Sequence, residues 1–70
     1  MYLKRLKDLR EDHDLKQKDI AELLNISQQY YSEYELGKRS IPIEILITLS
    51  KYYKVSTDYI LELTDNKKRK

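Results

Sequence analysis

Between Gln17 and Gly37 the chain reads QKDIAELLNISQQYYSEYELG, and two helical patterns meet there with only Asn25, Ile26 and Ser27 between them. Ile20, Ala21 and Leu24 make one apolar stripe, and Tyr31 and Tyr34 begin another. Each segment therefore has one face to bury. Asn25 suits the junction because asparagine tolerates the left-handed backbone that a tight turn between helices demands. Ser27 is placed to cap the second helix, since its hydroxyl accepts from backbone N–H groups of the first turn. Gln28 and Gln29 then stand at that helix's N-terminal end.

The rest of the chain is equally helical. Gly37 and Pro42 are its only glycine and only proline, and they bracket one short loop. No period-two alternation suggests a strand. The patterns predict helices over about residues 2–12, 17–24, 28–36, 43–53 and 57–63. Leu3, Leu6 and Leu9 stripe the first, which ends on the acidic Glu11, Asp12 and Asp14, an unfavourable charge for a helix C-terminus. Lys16 is a poor N-cap for the second. Gly37 falls where a left-handed residue ends the third, Pro42 suits the first turn of the fourth, and Ser56 caps the fifth. The fold class expected is all-α: a compact bundle of five short helices over residues 1–63, followed by a basic tail over 64–70 too polar to pack.

Seventy residues make one small domain. At this size only about 60% of the unfolded chain's surface is buried, so a core is marginal and a second subunit has reason to cover part of it. Without cysteine there is neither a disulfide framework nor a thiolate metal site, which fits a cytoplasmic location. Apolar runs fall far short of the ~20 residues needed to cross a bilayer, and no signal-peptide pattern opens the chain. The formal charge is +2, but Lys67, Lys68, Arg69 and Lys70 supply four of the fourteen basic residues; without them ten face twelve acidic ones. Nucleic-acid binding thus has to be argued from where charges sit rather than from their sum.

Leu9-Arg10, Gln17, Ala21, Ile26-Ser27, Glu35, Gly37, Val55-Ser56 and Asp58-Tyr59 together resemble the phage-repressor family, Cro-like or xenobiotic-response-element type. The similarity spans residues 6–63. It implies a lambda-repressor-like domain with a helix-turn-helix, and a function as a sequence-specific DNA-binding transcriptional regulator, a bacterial or phage repressor that reads the major groove with helix three as a dimer. It also implies that Arg10 and Glu35 meet between helices one and three. The chain departs from the family at Asn25, usually glycine, at Lys16, usually a small polar cap, and at Tyr31, usually aliphatic.

On this reading Gln28 and Gln29 contact base edges, since a glutamine amide matches N6 and N7 of adenine. Ser32 and Glu33 lie one turn further along the same face; Glu33 is suited to accept from cytosine N4 or to repel wrong sequences. Gln17, Tyr30, Lys38, Arg39 and Ser40 are the expected backbone contacts, with the N-terminus of helix two favouring an anion. The basic tail adds salt-sensitive attraction. Ile43, Ile47, Tyr52, Leu61 and Leu63 exceed what a core built on Leu46, Leu49, Tyr53 and Val55 needs, and are the expected dimer interface.

An enzyme is not expected, because one histidine and no cysteine leave no nucleophile–base pair. Glu11-Asp12-His13-Asp14 has neither calcium-loop nor zinc spacing, so no metal or cofactor is expected. The partners expected are a double-stranded DNA operator and a second copy of the chain. The rival is a protein-interaction module of the same fold, an antitoxin or repressor antagonist, whose partner is a toxin or another protein.

Overall fold

The computed structural model describes residues 3–67. Its elements are α1 (Lys4–Asp12), α2 (Gln17–Leu24), α3 (Gln28–Leu36), α4 (Ile43–Tyr53) and α5 (Thr57–Ile60). The described residues contain no strand, and no helix among them is long and apolar enough to cross a membrane. One core joins Leu3, Leu6 and Leu9 to Ile20, Ala21, Tyr31, Tyr34, Leu46, Leu49, Tyr53, Val55 and Ile60. Leu15, Leu24, Ile26 and Leu61 pack on it from partly exposed positions. α3 packs against both α2 and α1, and α5 against α4 and α1.

The helix starts follow from local chemistry. Ser27 Oγ accepts from the Tyr30 N–H at 3.1 Å, and Ser56 Oγ from the Tyr59 N–H at 3.0 Å. α2 is better anchored than Lys16 alone suggests. The Asp19 carboxylate accepts from the Lys16 N–H at 2.8 Å, while the Lys16 carbonyl takes the Asp19 N–H. That is the acidic half of a capping box, supplied from three residues inside the helix.

The helix ends share one device. Asp14, Asn25, Gly37, Lys54 and Glu62 all have φ between 55° and 75°. The following residue donates back across the last turn in every case: Leu15 to Arg10, Ile26 to Ala21, Lys38 to Glu33, Val55 to Ser50 and Leu63 to Asp58. This six-residue closure, the Schellman motif, satisfies carbonyls that a helix end leaves bare. Only one of the five uses glycine. Leu15, Ile26 and Val55 carry the motif's apolar contact into the core.

Two helix boundaries need correction. α1 begins at Lys4 and α5 ends at Ile60 rather than at Leu63, because Glu62 takes the left-handed conformation two residues on. Residues 65–67 are exposed and Thr64 is half-buried, as expected of a segment too polar to pack, yet hydrogen bonds tie it to the domain. Arg5 donates to the carbonyls of Tyr59 and Thr64 and to Asp65, its guanidinium carbon lies 4.2 Å from the Tyr59 ring centroid, and the Ser56 N–H bonds the Lys67 carbonyl. The rest of the basic tail, Lys68, Arg69 and Lys70, lies outside the described residues.

Candidate nucleic-acid interface

The end of α3 that carries Gln28 and Gln29 points to solvent, and both side chains are exposed. Two facts position them. Ser27 fixes the helix start, and Ile26, packed on the core, fixes the direction from which the chain enters it. Gln17, Gln28, Gln29, Ser32, Glu33, Leu36 and Lys38 line one shallow open groove across α2, α3 and the turn after it. Leu36, exposed, is its apolar lining residue and is absent from the expectations above; its place one turn beyond Ser32 on the same face is the signal that identifies it.

Behind this face stands an ion pair. Arg10 Nε donates to Glu35 Oε2 at 2.8 Å, and a terminal nitrogen donates to Oε1 at 3.2 Å, a two-pronged contact. Only 12% of the Arg10 side chain and 3% of the Glu35 side chain are exposed. Arg10 also bonds the Leu15 carbonyl at 3.0 Å, so it holds the turn between α1 and α2 as well. Gln17 Nε2 donates to Glu35 Oε1 at 3.2 Å. The Gln17 amide thus spends a donor inward, and three helices meet at one carboxylate.

Burial alone pushes the Glu35 carboxyl up, but hydrogen bonds from Arg10 and Gln17, the nearby Tyr31 hydroxyl and the Arg10 charge together hold it below the ordinary 4.5. The Arg10 guanidinium is held correspondingly higher, chiefly by its bond to Glu35. The Tyr31 hydroxyl faces this carboxylate without closing a hydrogen bond of good geometry. Burial, then Glu35, raises its ionisation far above that of an ordinary tyrosine.

The remaining residues separate into two groups. Lys38 and Ser40 are exposed after α3, and Lys38 lines the groove. Arg39 instead folds back: its Nε donates to Glu33 Oε1 at 3.0 Å, and its guanidinium carbon lies 4.3 Å from the Tyr30 ring centroid. Glu33 and Tyr30 therefore meet a cation from their own chain. Outside the groove Ile43 (60% exposed), Ile47 (42%), Tyr52, Leu63 and Leu23 are exposed. Leu61 differs, being half-buried against the core.

His13 turns Nδ1 to the Leu9 carbonyl at 2.8 Å and packs its ring 5.0 Å from that of Tyr53. Among the described residues no three His, Asp or Glu side chains converge to hold a metal ion.

Two short helices joined by a three-residue turn, the second capped and exposed at its start, define a domain of the helix-turn-helix class. The chain belongs to the helix-turn-helix family, whose sequence model matches residues 6–60. It is 41% identical over 66 residues to YobD of Bacillus subtilis (strain 168), an uncharacterized HTH-type transcriptional regulator, covering 94% of this chain and 59% of that one. Over 58 residues it is 45% identical to the HTH-type transcriptional regulator ImmR of the same organism, covering 83% and 46%. Over 55 residues it is 33% identical to the cryptic phage CTXphi transcriptional repressor RstR of Vibrio cholerae, covering 79% and 50%. The chain spans about half the length of these curated relatives. No solved structure matches it significantly.

Proposed function

We propose that this chain is a sequence-specific DNA-binding transcriptional regulator of the repressor type, acting in the cytoplasm as a dimer on a double-stranded operator. The observation that carries the reading is the outward-facing start of α3, where Gln28 and Gln29 border an open groove. In a helix-turn-helix this end of the second helix meets base edges. Gln28 and Gln29 read adenine, and Ser32 and Glu33 read the next step along the groove. Gln17 at the start of α2, Tyr30, Lys38 and Ser40 hold the backbone, while Arg39 stays folded onto Glu33. Ile43, Ile47, Tyr52 and Leu63 form the subunit interface, which sets half-sites about 34–36 Å apart. The transcriptional roles of the relatives support the regulatory reading.

Selection of bound duplexes from a random pool tests it. The expected result is a pair of inverted half-sites, with binding weakened by roughly 1–3 kcal/mol for Gln28→Ala or Gln29→Ala at one base position each. Binding that keeps the same sequence preference after both substitutions would refute the assignment. A protein-interaction role has one observation in its favour, the exposed Ile43 and Ile47. It predicts instead a stoichiometric protein complex that ignores the glutamines and fails with Ile47→Asp.

A further inference from the structure

Glu33 is an unusual group for a surface meant to approach phosphates, and the structure shows how it is handled. Glu33 and Arg39 lie six residues apart, yet the reversal at Gly37 brings Arg39 Nε to 3.0 Å from Glu33 Oε1. The same guanidinium covers the ring of Tyr30, one turn earlier on α3, at 4.3 Å. One cation therefore spans two successive turns of the exposed side of the helix. The contact engages Nε and a single carboxylate oxygen, so Oε2 of Glu33 keeps its acceptor capacity. Glu33 lines the groove shared by Gln28, Gln29 and Ser32.

With 46% of the Arg39 side chain and 26% of the Glu33 side chain exposed, the pair contributes little to folding stability. A duplex laid over it changes the balance. A bare carboxylate carried between two phosphate backbones meets like charge where water no longer screens it. A carboxylate already neutralised by its own arginine does not. The aromatic face of Tyr30 holds the guanidinium from the far side, so the cation stays aligned without help from DNA.

We propose that Arg39 is a positioning residue for Glu33: it masks the carboxylate charge and aims the free oxygen, so that the pair reads an exocyclic amino group, that of cytosine, as one neutral unit. The proposal rests on the reading that α3 enters the major groove. It differs from a plain phosphate contact for Arg39 in one measurable respect, because the value of Arg39 depends on whether Glu33 is charged.

The test is a double-mutant cycle on the selected operator duplex, using the full chain, with Arg39→Ala, Arg39→Lys, Glu33→Gln and Glu33→Gln/Arg39→Ala. Expected is a loss of about tenfold or more in affinity for Arg39→Ala alone, shrinking to about threefold or less in the Glu33→Gln background. Arg39→Lys restores part of the affinity, since it returns the charge without the planar contact to Tyr30. In repeated selections, Glu33→Gln loses the cytosine preference at its position, and Arg39→Ala weakens it. Equal losses from Arg39→Ala in both backgrounds, with operator binding intact, would overturn the proposal and leave the DNA reading standing. Failure of the unaltered chain to retain any duplex overturns both.

Discussion

Replacing Arg10 by alanine isolates the physics at the centre of the domain. Glu35 would stay buried with only the Gln17 amide, at 3.2 Å, and the ill-aligned Tyr31 hydroxyl beside it. Breaking a buried pair by removing one partner costs about 3–5 kcal/mol, because the survivor keeps its desolvation penalty. A domain of this length has roughly 4–10 kcal/mol of total stability, so the loss is a large fraction of it. The pH dependence carries the sharper signature. In the unaltered chain Glu35 titrates below 4.5, so the unfolded state binds the proton more readily. Its contribution is present above 4.5 and disappears as the pH falls through the lower folded value. In Arg10→Ala burial acts almost unopposed and the carboxyl titrates above its unfolded value. That variant therefore gains stability relative to wild type as the pH falls. Urea unfolding followed by circular dichroism, run from about pH 7 down to about pH 3, measures both slopes. Profiles that stay parallel at all pH values would show that Glu35 is not held as an ion by Arg10. Glu35→Gln should flatten the acid-side loss.

Two further substitutions test other parts of the fold. Lys54→Gly relieves a left-handed residue at φ 59° and should raise unfolding free energy by roughly 0.5–1 kcal/mol, read in the same urea titration; a loss would mean that the lysine side chain contributes more than its backbone costs. Tyr53→Phe deletes a buried hydroxyl that lacks a hydrogen-bond partner and should be neutral or stabilising by up to about 1 kcal/mol. Because burial raises the ionisation of Tyr53 above the ordinary 10, its contribution is whole below pH 10 and lost at higher pH. The phenylalanine variant should therefore unfold less steeply in alkali, and a substantial loss of stability at neutral pH would contradict this account.

The end of α2, both ends of α3 and the start of α4 were legible because each carries a local signal: Asn25, Ser27 and Gly37, and Pro42. The start of α3, and with it the exposure of Gln28 and Gln29, could be read for the same reason. Less visible was the end of α5. Neither Lys54 nor Glu62 is a residue type that announces a left-handed backbone, so those reversals are imposed by packing and by the carbonyls they satisfy. The inward turn of the Gln17 amide depends on where three helices bring Glu35, which no spacing encodes. The fold-back of Arg39 lay between these extremes. A glycine-ended helix returns the chain over its last turn, and that geometry sets residue 39 beside residue 33. Arg5 was opaque: its partners lie 54 to 60 residues away.

That last contact has a mechanical consequence. Arg5 sits in the first turn of α1 and grips the backbone at Tyr59 and Thr64. Opening of the start of α1 and of the segment after α5 must therefore undo the same guanidinium, so the two open together rather than one at a time. The amide of Ser56, bonded to the Lys67 carbonyl just beyond the clasped Thr64 and Asp65, would report this as slowed hydrogen exchange that Arg5→Ala speeds up.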